Sequence, residues 1–558
     1  MSSAQKTAQP VPAQQFASHL LAQLVANGVD HIFLAPGARS QALAIAAGQL
    51  ADAGHVQLHV RLDERSLGFN ALGVGLASGY PAVVITTSGT AVANLHPAVL
   101  EAHHAGIPMI LLTADRPAEL RGVGANQTTN QVGIFADAVR SCTDVPAPES
   151  SQSDAKLAAL AAELVENALS QAVSESGPVQ LNLAFREPLS STSPNAAEVF
   201  EALAAAHLAV SQTQSISIVG SADECGPDCG HDHGDQSSKQ PDTVIDLSLN
   251  TVVIAGDAGY LARWYCSGLP LLAEPSSGVR HLPESVPGYL WVLREHPELV
   301  DQIQQVLVFG KPTLSRQVQA LLKRPNLKVF VDPGRHGVFN PAHNAQILGD
   351  DVEFLGDPNP KWLEGWQQAG ADAAAKVTDR EVQHAMTRRA LVETVFAGAG
   401  KQNPLILGAS RLIREADYWA PAKERKVYAN RGLAGIDGTV ATATGIALTH
   451  PGSMVRVLLG DLTLLHDVGS LVVDPLDGDL NIQVIVGNDH GGSIFEGLEV
   501  AQILDENNFE RLFRTPQNVR LEHLAKAYGW QYRAVNSASA LKQAMKQTGR
   551  VLVEVALG

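Results

Sequence analysis

"VIVGNDHGGSIFEGLE", residues 484–499, is an apolar run that ends in Asn488, Asp489 and His490 and then two consecutive glycines. Such a run reads as a buried strand, and a strand that merely needed a turn would manage with one glycine. This one places a carboxylate beside bare backbone, where a ligand can approach closely. Upstream, "VRVLLGDLTLLHD" (455–467) is a second apolar run, ending at Gly460-Asp461, 28 residues before Asp489. That gap fits one crossover between parallel strands, so the spacing predicts both carboxylates side by side at one sheet edge. Two anionic oxygens plus a free carbonyl, which Gly491 can supply, suit Mg²⁺, whereas His490 is a poor ligand for so hard a cation. An ion with few protein ligands is usually shared with a phosphate, and the turn after Gly460 opens a predicted helix whose first amides favour that anion. Taken singly, each acid is an ordinary strand end; the pairing gives them meaning.

The same alternation runs along the chain. "HIFLAPG", "AVVITTSG", "PMILLTADRP" and "PVQLNLAFREPL" read as strands in the first third, with "TAVANLHPAVLEAHHAG" as a helix. "TVVIAG", "QVLVFG" and "LKVFVD" follow between about Thr251 and Leu355, then "PLILGAS", "VYANRG", the two opening runs and "RVLVEVAL". Apolar strands alternating with helical patterns predict parallel sheets covered on both faces, with function at the carboxyl ends of the strands. Residues 210–245 are polar and read as a loop or disordered insertion, and "ADAAAKVTDREVQ" reads as a linker. The fold class is therefore α/β, with three doubly wound parallel-sheet domains over 1–195, 196–375 and 376–558.

Composition agrees. The 558 residues exceed what one core supports and predict roughly three domains. A net charge of −17 argues against a nucleic-acid or anionic-membrane partner. No apolar stretch of about 18 residues predicts a membrane span. "MSSAQKTAQPVPAQQ" lacks the apolar core of a signal peptide, and four cysteines do not make a disulfide framework, which predicts a reducing cytoplasm.

"GDL…NDHGG" resembles the cofactor motif of the thiamine-diphosphate-dependent superfamily, which begins Gly-Asp-Gly and ends about 30 residues later in Asn-Asn. Leu462 replaces the third glycine, and Asp489 stands where the ligating Asn is usual. The resemblance implies a fold of the thiamine-diphosphate decarboxylase type and a metal held by Asp461, Asp489 and Gly491, as Mg²⁺ or Mn²⁺. In "HVRLDERSLGFNALG", Glu64 begins a predicted helix, and Asp63, Glu64 and Arg65 could simply form its charged first turn. By resemblance Glu64 is instead the catalytic glutamate, bonding the aminopyrimidine so that its 4′-imino group strips the thiazolium proton. Asn94, Ile436, Asp437, Gly460, Leu462 and Ile494 join Glu64 and Asp461 as cofactor-binding residues by the same resemblance.

Arginines recur after the strand patterns: Arg39, Arg116, Arg316, Arg414 and Arg431. Any one is unremarkable, but five together predict substrates carrying several carboxylates. "PGARS", "TSGTAVANL", "GANQ", "NRGLAGIDG" and "GGSIF" resemble the 2-succinyl-5-enolpyruvyl-6-hydroxy-3-cyclohexene-1-carboxylate synthases of menaquinone biosynthesis, densely at 30–140 and 405–500. This implies a transferase that decarboxylates 2-oxoglutarate and adds the succinyl-semialdehyde carbanion to isochorismate. Arg39, Arg116, Gln127, Arg316, Ser410, Arg414 and Arg431 would bind these substrates, with Phe495 lining the pocket. Ala38 and Ser315 depart from the family pattern at substrate contacts. The resemblance also implies a homodimer or dimer of dimers, in which Glu64 of one copy faces Asp461 of another. Another thiamine-diphosphate 2-oxoacid decarboxylase or carboligase, such as an acetolactate synthase, is the nearest rival. A non-catalytic metal-sensing protein is the other, because Cys225, Cys229, His231 and His233 cluster in the polar tract with ligand types that suit zinc.

Overall fold

Three parallel sheets organise the chain. The computed structural model describes residues 11–191, 193–215, 242–335, 337–378 and 386–557. The first sheet has six strands in the order Gln57–Val60, His31–Leu34, Ala82–Thr86, Met109–Asp115, Pro178–Ala184, Cys142–Val145. Met109–Asp115 and Pro178–Ala184 are buried at every residue because helices cover both faces. The single helix predicted over "TAVANLHPAVLEAHHAG" is two, Thr90–Ala93 and His96–Ala105, divided where Pro97 takes the first turn of the second.

The middle sheet runs Ala345–Ile347, Lys328–Val331, Gln305–Phe309, Thr251–Ala255, Leu271–Ala273, beside a two-stranded pair, Val352–Leu355 with Thr243–Asp246. The third runs Val427–Tyr428, Leu405–Leu407, Val455–Gly460, Ile482–Asn488, Arg550–Ala556, Gln531–Val535. Two expectations need correcting. The tract at 210–245 is partly structured: helix Ala196–Ser215 enters it, and Thr243, Val244 and Ile245 of strand Thr243–Asp246 leave it. The linker "ADAAAKVTDREVQ" is helical in its first half, where helix Pro360–Thr378 continues. Cys225, Cys229, His231 and His233 lie outside the described residues. Among the described residues no helix is long and apolar enough to cross a membrane.

The first and third units of the chain dock through helices Glu64–Ser78 and Thr439–Leu448. Their backbones touch. A Cβ on Gly73 would lie 2.1 Å from the Thr442 carbonyl oxygen, and one on Gly445 would lie 2.0 Å from that of Asn70. Asn70 donates its amide to the Ala441 carbonyl at 2.7 Å.

A second tie is ionic. The enclosed Asp477 carboxylate meets His59 Nδ1 and Arg61 Nη2, each at 2.6 Å. Behind His59, His31 Nδ1 lies 3.1 Å from His59 Nε2. Burial, then the neighbouring His59 charge, lowers the His31 pKa from 6.5 to about 4. A histidine held neutral stabilises the fold fully above pH 6.5, and that contribution is lost as pH falls toward 4, where the unfolded chain binds more protons. Between those limits the protein should lose up to about 3 kcal/mol that a His31→Phe variant does not lose. Urea unfolding of both proteins from pH 7 to pH 4 checks this: the stability gap should narrow with acid, and a constant gap contradicts it.

Candidate active site

Strands Val455–Gly460 and Ile482–Asn488 are parallel neighbours, with Gly460 opposite Gly487. Helix Asp461–His466 starts where the first ends, and the glycine turn starts where the second ends. Asp461 and Asp489 consequently line one cavity of about 110 Å³, together with Gly460, Leu462, Gly491, Ile494, Phe495 and Ile436. Ser410 and Arg411 line its other side. The 28-residue crossover does bring the two acids to one sheet edge.

Burial raises the Asp461 pKa, and the charge of Asp489 raises it further, against the opposing pull of the Leu462 and Gly491 amides. The amides of the turn thus pull on the chain's own Asp461 carboxylate. Gly491 has φ +132°, and a Cβ there would lie 2.3 Å from the Arg514 carbonyl oxygen, so no other residue fits. Its carbonyl was expected to be free but accepts the Ser493 N–H at 2.9 Å, leaving one lone pair. A Cβ on Gly460 would meet nothing within 4 Å, so open space lies over that turn. Two mutually repelling carboxylates, an available carbonyl and open room fit a divalent cation shared with a diphosphate.

Two groups escaped the sequence reading, Arg411, which lines the cavity, and Arg388, which bonds its Asp489. Arg411 donates Nη1 to the Ser493 carbonyl at 3.1 Å and Nε to Glu415 at 2.8 Å. Its signal was present, since it directly follows Ser410. Arg388, which donates Nη2 to Asp489 at 2.7 Å, stands 101 residues away and had none.

Glu64 is the first residue of its helix, and the Asp63 side chain caps it by accepting the Arg65 N–H at 2.9 Å. Asn94 Nδ2 donates to Glu64 Oε2 at 3.5 Å. Neither residue lines the Asp461 cavity. Asp437 also faces elsewhere, into a cleft with Phe69, His96 and Glu101.

The arginines divide into two groups and one outlier. Arg116 and Gln127 converge on Ser88, while the neighbouring Arg39 donates Nη1 to the Phe185 carbonyl at 3.0 Å. Arg116 Nη1 donates to Ser88 Oγ at 3.1 Å, and Gln127 Nε2 donates to the Ser88 carbonyl at 3.1 Å. The buried Arg39 has its pKa lowered by burial and then by the charge of Arg116. Arg414 and Arg431 form the second group, where burial and then the Arg431 charge lower the Arg414 pKa. Arg414 donates to the Ser410 carbonyl at 2.7 Å. Arg431 is 3% exposed; Nη2 reaches Thr313 Oγ1, while Nε and Nη1 have no partner among the described residues. Arg316 joins neither group: its side chain is 73% exposed and pairs with Glu499 at 3.3 Å.

Comparison with known proteins adds a second line of observation. Residues 14–134 match the family described as thiamine pyrophosphate enzyme, N-terminal TPP binding domain, and residues 411–555 match its C-terminal TPP binding domain. The first match contains Glu64 and the Arg39 group; the second contains Asp461 and Asp489. The chain is also similar to a protein of Leifsonia xyli subsp. xyli, 43% identical over 98% of this chain and 96% of the relative. A protein of Clavibacter michiganensis subsp. michiganensis is 42% identical over the same shares. One of an Arthrobacter species is 39% identical over 95% of this chain and 87% of its own length. All three relatives are named 2-succinyl-5-enolpyruvyl-6-hydroxy-3-cyclohexene-1-carboxylate synthase.

Proposed function

The chain belongs to the 2-succinyl-5-enolpyruvyl-6-hydroxy-3-cyclohexene-1-carboxylate synthase family of thiamine-diphosphate-dependent enzymes, and from that premise we propose that it decarboxylates 2-oxoglutarate and joins the remaining acyl unit to isochorismate, releasing CO₂ in menaquinone biosynthesis. The observation that carries the reading is the pairing of Asp461 and Asp489 in one cavity at the ends of adjacent parallel strands.

Asp461, Asp489 and the Gly491 carbonyl would hold Mg²⁺ or Mn²⁺ there, with Gly460 and Leu462 against the diphosphate. When bound, thiamine diphosphate supplies a thiazolium carbon whose deprotonated form is nucleophilic toward a 2-oxoacid carbonyl. Glu64 holds and exchanges a proton at the aminopyrimidine ring nitrogen, and Asn94 orients its carboxylate. Ile436 and Ile494, which line the Asp461 cavity, would contact the cofactor, Phe495 would line the substrate pocket beside them, and Asp437 would reach the cofactor from the adjoining cleft. Arg39, Arg116 and Gln127 receive one substrate carboxylate; Ser410, Arg414 and Arg431 receive another. The two nitrogens of buried Arg431 that have no hydrogen-bond partner among the described residues support this, since buried N–H donors favour an acceptor. Arg316 is assigned to the rim beside Glu499.

The cavity of about 110 Å³ is well below the roughly 300 Å³ that encloses a drug-sized ligand. Glu64 does not line it. A second copy of the chain therefore completes the site, in a homodimer or a dimer of dimers. The domains divide at 195 and 375, and the compartment is the cytoplasm, as the sparse cysteines favour. Purified protein with thiamine diphosphate, Mg²⁺, 2-oxoglutarate and isochorismate should release CO₂ and consume isochorismate. Turnover of pyruvate instead would transfer the chain to acetolactate-type chemistry.

A further inference from the structure

The Asp489 carboxylate is divided between two tasks. Its Oδ2 accepts Arg388 Nη2 at 2.7 Å, Arg388 Nε at 3.1 Å and Ser493 Oγ at 2.5 Å. Three donors saturate that oxygen and fix the rotation of the group. Oδ1 has no hydrogen-bond partner among the described residues. The backbone is pinned as well, since Arg514 Nη2 donates to the Asp489 carbonyl at 3.1 Å. Arg388 is itself anchored: it opens helix Arg388–Gly398, where the Thr387 hydroxyl caps the first turn by accepting the Ala390 N–H at 3.1 Å. The pair is mostly shielded, with side chains 26% and 12% exposed. Its charge therefore acts on the cavity with little solvent screening.

We infer that Arg388 is a positioning residue that makes Asp489 a one-oxygen, charge-compensated metal ligand, and so sets the balance between divalent cation and diphosphate. The inference rests on the function proposed above. Two carboxylates alone would present a charge of −2, which attracts a bare cation strongly and repels a diphosphate. The guanidinium brings this to −1. Affinity for the ion alone falls, affinity for the anionic cofactor rises, and the two load together.

The two effects have opposite signs, which a merely structural role would not produce. In Arg388→Gln, Mn²⁺ measured without cofactor by loss of its free-ion electron paramagnetic resonance signal should bind about tenfold tighter. Thiamine diphosphate, titrated by tryptophan fluorescence at fixed Mn²⁺, should bind about tenfold weaker. The double variant Arg388→Gln/Asp489→Asn restores the −1 balance and should return both affinities to within about threefold of the parent. If Arg388→Gln fails to fold by circular dichroism, the same removal is read in the Asp489→Asn background, where it should also tighten Mn²⁺ about tenfold. Equal or weaker Mn²⁺ binding in a folded variant, or no rescue in the double, overturns the inference alone. A parent protein that takes up neither Mn²⁺ nor thiamine diphosphate overturns the proposed function, and this inference with it.

Discussion

Glu64→Gln should lower 2-oxoglutarate turnover by about 10²–10⁴-fold, the range for removing one general acid–base group. Affinity for thiamine diphosphate should change by no more than about threefold, because the amide keeps the shape and one hydrogen-bonding oxygen of the carboxylate. The expectation follows from where Glu64 sits. It is outside the acid-lined cavity, so its loss does not touch the diphosphate grip. Among the described residues its carboxylate is held only by Asn94, in a long contact of 3.5 Å that leaves it available. Single-turnover CO₂ release read beside a fluorescence titration separates the two effects. Near-parental turnover would return Glu64 to a charged helix start and nothing more.

Asp461→Ala should do the reverse. Loss of this ligand should weaken joint binding of thiamine diphosphate and Mg²⁺ by at least about 100-fold, more than removal of an outer partner of a metal ligand costs. Calorimetric titration of cofactor at fixed Mg²⁺ measures it, and parental affinity in the variant would remove the metal site from this cavity. The metal-free variant should be no less stable than the parent, since the deleted carboxylate is buried beside the like charge of Asp489. Mixing the two inactive variants under subunit exchange tests the shared site directly. If Glu64 and Asp461 of different copies build one site, half the dimers are mixed and each has one intact site, so about a quarter of parental activity returns. No recovery after proven exchange would mean that one chain builds its own site.

Much of this arrangement was legible locally. Among the strands read correctly, Met109–Asp115 and Ile482–Asn488 are long apolar runs buried at every residue. Those missed are edge strands. Gln57–Val60, Cys142–Val145, Leu271–Ala273, Ala345–Ile347 and Gln531–Val535 each close one side of a sheet. With only one neighbour most of them keep polar or exposed residues, as in the largely exposed Gln531–Val535, and the periodicity that marks a strand fades; Leu271–Ala273 is buried but only three residues long. Glycine patterns were legible too: the pair after His490 carried its turn, and Gly491 occupies a conformation no other residue would.

The arginines show where local reading stops. All five lie after strand patterns, yet Arg39 lies close enough to feel the charge of Arg116, Arg414 that of Arg431, and Arg316 points to solvent. Position along the chain sets which end of a sheet a side chain leaves from, not which neighbour it meets.

By itself the sequence determined the parallel sheets, their order along the chain and the two acids at adjacent strand ends, because apolar runs, crossover length and glycine turns act over a few residues to a few tens. Only the tertiary structure decided the glycine-to-glycine helix docking, the grouping of the arginines and the Arg388 grip on Asp489. The helix docking and the Arg388 grip join residues 101 and more positions apart, Arg388 with Asp489 and Gly73 with Thr442. Packing brings such pairs together, and no periodicity in the chain records it.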